Sequence, residues 1–268
     1  MAVNFERRSS SAARWSRRVA AFSAVLLVTA TFGHRLALID TVPLFWLIGI
    51  VGTLALLALV LAASGFSRLW NHGDKGGRDS TRAVIVALVV LAPFLASGYR
   101  VIAYPALHDI STDTVDPPEL IYAARARTGI MNRVEPITPE QAEAQMAAYP
   151  EVTGRRYDAP ADRVMESIQT VLATRNWVRV SPMSESPADE PPSAETTIEL
   201  TAWTFLFHFP SDVAIRLVDE GETSYVDMRS ASRYGRHDLG DNASRIAAFL
   251  NELGTDVAGK VAVAPVTP

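Results

Sequence analysis

The chain of 268 residues contains no cysteine. It therefore has no disulfide, no thiolate nucleophile and no cysteine-based metal site, and in an oxidising compartment it depends on core packing alone. Histidine is scarce as well, with five residues, no pair at i, i+4 spacing and no carboxylate at ligand spacing. Such pairs and carboxylates are what a zinc site requires. We predict no metal site and no cofactor.

Basic charge is sparse in the C-terminal part of the chain. Residues 106–268 carry 14 Arg and Lys against 25 Asp and Glu, whereas residues 1–105 carry 11 against 4. Nucleic acids are bound by basic surfaces that neutralise phosphates, so an acidic C-terminal part argues against nucleic acid as a partner. The opposite charge balance of the two parts indicates two different environments.

Apolar residues are concentrated in the first part, and three segments predict membrane helices, at about 19–38, 42–66 and 83–104. Val42–Phe66 has no charged residue over 25 positions, enough to cross the ~30 Å hydrocarbon core as a helix. Ala83–Tyr99 adds 17 uncharged residues. The first segment follows a basic start and ends near small residues, so it fits a retained helix or a cleavable signal peptide.

Basic residues precede the first apolar segment and recur between the second and the third. Because cytoplasmic loops are enriched in Arg and Lys, the N-terminus and the 67–82 loop are predicted to be cytoplasmic. The chain then leaves the third span on the outer side. We therefore expect a multi-pass protein of the plasma membrane, in contact with the lipid bilayer, with residues 106–268 in the periplasm or its equivalent.

After the spans, residues 106–150 are typical of a linker with short helices, and residues 151–260 of a compact domain followed by a tail at 261–268. A capping threonine and a proline predict a helix from Thr138 to about Ala148. The polar, proline-rich stretch 182–194 predicts a mobile surface loop.

The compact domain is predicted to have the order strand, helix, four strands, helix. The strands are expected at Val152–Tyr157, Trp177–Val180, Thr196–Phe209, Asp212–Val218 and Ser224–Ser230. One helix follows Pro160, and a second begins at a cap formed by Asp241 or Asn242. This order of elements predicts an α+β fold with an antiparallel sheet and helices packed on one face.

Helical and strand spacing also predict the core of this domain. Its expected members are Val164, Ile168, Leu172, Trp177, Leu200, Phe205, Phe207, Ile215, Leu217, Val226, Ile246 and Leu250. The strand Thr196–Phe209 is apolar on both faces, which implies a second cover for the sheet. That cover is the 119–148 region, the membrane surface, a partner protein or an apolar ligand.

The stretch VDMRSASRYGRHDLGDN, residues 226–242, has the highest density of chemically active side chains. Strand alternation turns Asp227 and Arg229 to one face, where Arg216 of the neighbouring strand can meet a carboxylate. One interpretation is a structural ion-pair network built on Asp212, Arg216, Asp227 and Arg229. The other is an anion-binding site near the N-terminus of the final helix, formed by Arg229, Arg233, Asp238 and Arg245.

A hydrolase site is disfavoured in the same stretch. Ser230 or Ser232 would be the nucleophile, with His237 and Asp238 as its partners. His237 and Asp238 are adjacent in sequence, which orients an imidazole poorly, and no nucleophile elbow or oxyanion glycine pattern accompanies them. We predict no catalytic residue from this set.

The segments HDISTDTVDPP and VDMRSASRYGRHDLGDNASRI, from about His108 to Leu250, resemble the bacterial membrane-associated family known as domain of unknown function 1499. The resemblance implies an extracytoplasmic domain attached to the bacterial inner membrane, with no established activity. The family's signature falls on Asp109, Asp113, Pro117, Pro118, Asp212, Arg216, Asp227, Arg229, Ser230, Ser232, Arg233, Gly235, Asp238, Gly240, Asn242 and Arg245. Ser211 and Asp241 depart from it.

Two classes of function remain. The first is a non-catalytic module of the cell envelope that binds a partner protein or a small anionic or lipid-like ligand. The second is an envelope enzyme with an arginine–aspartate site in residues 227–245. A cleft in which those charges converge without partners would favour the enzyme.

Overall fold

The computed structural model describes residues 8–181 and 195–263. The stretch 182–194, predicted as a loop, and residues 264–268 of the predicted tail lie outside the described residues. The chain divides into two compact units. Among the described residues, the helical unit comprises 8–99 and 206–208, and the mixed unit comprises 100–181, 195–205 and 209–263.

Three long helices begin the chain: α1 (Ser11–Arg35), α2 (Thr41–His72) and α3 (Gly77–Ala103). Within the described part of the chain, two of them are long and apolar enough to cross a membrane, α2 with a mean hydropathy of 2.7 and α3 with 2.0. The first helix is not among them, because its N-terminal half carries the arginines that precede the apolar segment. The prediction of three spans is therefore supported for two.

Small residues form much of the buried side of α2. They are Gly52, Ala55, Ala58, Ala62 and Gly65. A methyl group placed on Gly65 would overlap the Ser80 Oγ and lie 3.1 Å from the Ala13 Cβ. The helix backbones thus approach closely at these positions, as is usual for small residues at contacts between apolar helices.

The mixed unit contains a six-stranded antiparallel sheet, as the α+β prediction requires. Its strands are β1 (Asp109–Ser111), β2 (Arg155–Tyr157), β3 (Val178–Arg179), β4 (Glu195–Trp203), β5 (Pro210–Asp219) and β6 (Ser224–Ser232). They follow the order β1-β6-β5-β4-β3, and β2 also pairs with β6. Its helices are α4 (Ile121–Ala126), α5 (Pro139–Ala148), α6 (Ala161–Ala173) and α7 (Asp241–Val263).

One face of the sheet, the core face, packs against α6 and α7. Ten of the twelve predicted core residues belong to this cluster, two of them, Leu172 and Trp177, as partly buried members of its margin. The other eight are the strand residues Leu200, Ile215, Leu217 and Val226 and the helix residues Val164, Ile168, Ile246 and Leu250. The spacing rules thus identified the core face correctly.

Phe205 is a wrong core prediction, because its side chain is 88% exposed. The strand predicted to reach Phe209 ends at Trp203. A turn follows, in which the Thr204 amide donates to the Phe209 carbonyl and the Phe209 amide donates to the Thr204 hydroxyl. Phe207 lies in the same turn and is only partly buried.

The two predicted helices of the compact domain, α6 and α7, share the core face, but α4 does not. This helix lies on the opposite face, where Leu120 and Ala123 pack against Ala214 and Ala231. The covering segment extends from residue 112 to residue 135, and we call the sheet face beneath it the charged face. The second cover of the sheet therefore includes part of the 119–148 region, one of the predicted alternatives.

The same region contributes the edge strand β1, which the sequence did not predict. Its Ile110 pairs with Ser230 of β6 and is fully buried. On the outer edge, the amide side chain of Gln145 in α5 accepts from the Ser111 backbone amide at 3.1 Å and donates to the Ser111 carbonyl at 2.6 Å. Gln145 thereby closes the edge in place of another strand.

We predict that Gln145→Leu destabilises the protein, because it keeps the side-chain volume but leaves the Ser111 amide and carbonyl without partners. Each unsatisfied buried group costs about 1–3 kcal/mol. The measurement is the unfolding midpoint of the full-length protein in detergent. Glu143→Leu, an exposed change on the same helix, serves as the control, and equal shifts for both variants would refute the edge-closing role.

Candidate functional site

The charged face carries alternate residues of β4, β5 and β6. The register places Arg216 of β5 directly opposite Asp227 of β6. The Arg216 Nε donates to the Asp227 Oδ1 at 3.0 Å, and Nη2 donates to Oδ2 at 2.6 Å. The guanidinium also donates to the Asp116 carboxylate at 2.9 Å and to the Asp116 carbonyl at 2.7 Å. The covering segment is thus fastened to the middle of the sheet.

The electrostatics of this pair favour the ionised form. Asp227 is fully buried, and burial raises the pKa of its carboxyl, while its hydrogen bonds with Arg216 oppose that shift. The same hydrogen bonds raise the pKa of Arg216. We therefore treat both groups as charged at neutral pH, since a fork of two N–H donors onto a carboxylate is a strong, charge-assisted contact.

Asp212 is a second buried centre, held between two arginines. The Arg127 Nε donates to its Oδ2 at 2.8 Å, and the Arg233 Nε and Nη2 donate to its Oδ1 at 3.0 and 2.7 Å. Arg233 also donates to the Thr201 hydroxyl at 2.8 Å. Arg127 belongs to the covering segment and donates in addition to the backbone carbonyl of Ala231.

Arg229 forms the third contact of this face. Its Nε and Nη2 donate to the two Asp109 carboxylate oxygens at 3.0 and 2.8 Å, and Nη2 also reaches the Glu135 carbonyl at 2.9 Å. The partner Asp109 is in the edge strand β1. The side chain of Arg229 is only 6% exposed, so the pair is nearly dry.

Glu199 of β4 is a further acidic residue of the charged face, and it belongs to no motif recognised in the sequence. Its two carboxylate oxygens accept from the backbone amides of Ile121, Tyr122 and Ala123 at 2.9, 3.1 and 2.9 Å. These are the free amides of the first turn of α4, and a carboxylate satisfies them and opposes the positive end of the helix. Glu199 therefore holds α4 on the sheet.

Asp238, predicted as a ligand contact, caps the final helix. Its Oδ1 accepts from the Gly240 amide at 3.0 Å and its Oδ2 from the Asn242 amide at 2.8 Å. The cap expected from Asp241 or Asn242 is thus supplied by an earlier residue, through a turn with Gly240 at a φ of 78°. Burial raises the pKa of Asp238, and the two backbone hydrogen bonds oppose the shift.

Arg245 differs from the other arginines of the signature. Its Nη1 donates to the Ser230 hydroxyl at 2.9 Å and to the Asn242 side-chain carbonyl at 2.5 Å. Among the described residues it forms no ion pair, although Asp241 and Asp238 act on it through space. Burial lowers its pKa, so Arg245 is a partly buried cation held by neutral groups.

The residues of the disfavoured hydrolase site do not come together. Ser230 donates to Asn242, and Asn242 donates to Ser232. The His237 Nδ1 accepts from the Leu239 amide at 3.0 Å, and its Nε2 lies 3.1 Å from the Tyr104 carbonyl. Both nitrogens of the imidazole thus contact backbone groups, and neither serine is its hydrogen-bond partner.

The four predicted anion-binding residues occupy separate places. Arg229 and Arg233 are paired with aspartates on the charged face, whereas Asp238 and Arg245 lie at the start of α7. The four residues of the predicted ion-pair network, Asp212, Arg216, Asp227 and Arg229, all form ion pairs on one face. In the described ranges, no three His, Asp or Glu side chains gather at metal-binding distance.

We predict that Arg216→Ala costs about 3–5 kcal/mol of stability, because it leaves the buried Asp227 carboxylate unpaired. Arg156→Ala is the matched control: Arg156 forms the same two-pronged pair with Glu220, at 2.7 Å, but on the exposed surface. Solvent screening makes such a pair nearly neutral. Unfolding of the full-length variants in detergent measures both, and a harmless Arg216→Ala would contradict a structural role.

Similarity to known proteins is confined to part of the chain. No curated protein matches it. Two solved structures are similar in part. CalU16 from Micromonospora echinospora has 17% sequence identity and a TM-score of 0.27, and the match covers 41% of this chain and 76% of that chain. TTHA0849 from Thermus thermophilus has 13% identity and a TM-score of 0.25, and the match covers 40% of this chain and 96% of that chain. Both scores are below the range that indicates a shared fold.

A family model, described as protein of unknown function (DUF1499), matches residues 109–253. The match begins at Asp109, the partner of Arg229, and covers the sheet, the covering segment and most of α7. It includes every ion pair described above for the charged face. The chain belongs to the DUF1499 family.

Proposed function

We propose that this chain is a membrane-anchored protein of the bacterial cell envelope whose mixed unit is a non-catalytic module that binds a small anionic ligand or a partner protein. Two apolar helices near the N-terminus support the anchor. The internal pairing of the charges on the sheet supports a module without catalysis.

The pairing of those charges is the observation on which the proposal depends. Catalysis by acid, base or nucleophile requires a titratable group within reach of a substrate. Asp212 and Asp227 are fully buried and bound by arginines, and Asp238 accepts two backbone amides. The arginine–aspartate set of an enzyme is thus occupied by contacts that hold the fold, which weighs against the enzyme alternative.

Arg245 supports the binding of an anion. A buried cation is costly unless an opposite charge is close to it. Its guanidinium has five N–H donors, and its hydrogen bonds in the described part of the chain involve Nη1 alone. The remaining donors and a charge without an ion pair fit a carboxylate or phosphate, with the N-terminus of α7 adding partial positive charge.

We predict that the purified full-length protein retains an anionic molecule detectable by native mass spectrometry, and that Arg245→Met releases it. Folding should tolerate this change, because it removes a partly buried cation that lacks an ion pair. Arg236→Met, an exposed change in the same stretch, should leave retention unchanged. A protein that retains nothing anionic and unfolds readily with Arg245→Met would disprove this binding role.

We also propose the finer topology: three spans, with the N-terminus and the turn between α2 and α3 in the cytoplasm and the mixed unit outside. The support is the charge distribution, since nine Arg and Lys residues flank the cytoplasmic ends of the apolar segments. The acidic composition of residues 106–268 disfavours binding to nucleic acid, which agrees with a location outside the cytoplasm.

Reporter fusions test this topology. Alkaline phosphatase attached after Pro268 should be active, because it folds only outside the cytoplasm, whereas green fluorescent protein exported there through the general secretory route should be dark. The same two reporters attached after Lys75 should give the opposite pattern. The reverse result at both sites would overturn the orientation and the envelope location.

A further inference from the structure

A cleft of about 650 Å³ opens at one end of the helical unit. It is lined by Arg8, Ser9, Ser11, Arg14, Arg68, His72 and Asp74. These residues come from the segment before α1, the first turn of α1, the last turns of α2 and the turn that follows α2. The cleft belongs to the helical unit, whereas the residues of the proposed binding function belong to the mixed unit.

Backbone contacts fix the walls of the cleft. The Ser10 amide donates to the Lys75 carbonyl at 2.9 Å, and the Lys75 amide donates to the Arg8 carbonyl at 2.8 Å. This short bridge holds the segment before α1 against the turn between α2 and α3. Gly73 ends α2 at a φ of 67°, a conformation suited to glycine. The cleft is therefore a built feature and not a gap between loose side chains.

The cleft has an excess of positive charge. Three arginines line it against a single carboxylate, that of Asp74. The ion pair between Arg17 and Asp79 at this end involves none of them, and within residues 8–181 and 195–263 none of the three forms an ion pair. The first turn of α1 adds the partial positive charge of a helix N-terminus. Such a set of donors fits a phosphate group.

Two exposed tryptophans lie at the same end of the helices. Trp70 is 91% exposed and is located between the cleft residues Arg68 and His72, and Trp15 follows Arg14 and is 56% exposed. The Arg18 guanidinium stacks 5.4 Å from the centre of the Trp15 ring. Tryptophan is enriched where membrane helices cross the headgroup layer, so in the proposed membrane anchor these two rings would place the cleft at the depth of lipid phosphates.

We propose that this cleft binds the phosphate of an anionic phospholipid headgroup, with Arg8, Arg14 and Arg68 as its donors. Basic pockets between membrane helices are suited to such headgroups. The acyl chains of the lipid would lie along the apolar helices. A free phosphate ion has no acyl chains and would lack these apolar contacts. The lipid source rests on the proposed membrane anchor, which the reporter fusions test independently.

The test is native mass spectrometry of the full-length protein in detergent, titrated with phosphatidylglycerol, with zwitterionic phosphatidylcholine or with inorganic phosphate. The cleft variant combines Arg14→Gln with Arg68→Gln. Its matched control combines Arg78→Gln with Arg82→Gln, two exposed arginines at the start of α3 that do not line the cleft. Both variants lose two positive charges at the same end of the helices.

We expect selective binding of phosphatidylglycerol over phosphatidylcholine, at least tenfold weaker in the cleft variant and within twofold of the wild type in the control. Displacement of the lipid by inorganic phosphate at similar concentrations would retain the cleft as a phosphate site but overturn the lipid as its ligand. Equal weakening in both variants, or no preference between the two lipids, would overturn the site.

Discussion

The mixed unit depends on the burial of carboxylates between two layers. One face of its sheet is closed by ordinary apolar packing, but the other is closed by Asp227, Asp212 and Asp109 paired with arginines. A buried charge without a partner costs several kcal/mol. The covering segment must therefore dock so that Asp116 and Arg127 reach their partners on the sheet.

Three members of this network meet partners from a distant part of the chain. Asp116 and Arg127 of the covering segment meet Arg216 and Asp212 of β5, and Asp109 of β1 meets Arg229 of β6. The apolar contacts of α4 with the sheet involve only a few small side chains. Docking of the covering segment thus rests on directional contacts, those of Asp116 and Arg127 with the sheet.

The sequence predicted those parts of the fold that obey local rules. Alternation in β5 and β6 gave the correct faces for Arg216 and Asp227, and the threonine-proline start of α5 gave its N-terminus. Glu199 and Gln145 have no such signature, because their function is to satisfy backbone groups that are distant in sequence. The aromatic alternation that placed Phe205 in the core continued through a turn, which a periodic pattern does not reveal.

The pairing of β1 with β6 also sets the order in which the unit can assemble. Asp109 and Arg229 are separated by 120 residues, so the first strand of the sheet is made long before the strand that receives it. Until residue 229 emerges, the carboxylates of the covering segment remain in water, where they are well solvated and resist collapse. Contacts of such range slow folding. The sheet of a nascent chain therefore cannot close at β1 until β6 has been synthesised, when most of the chain already exists.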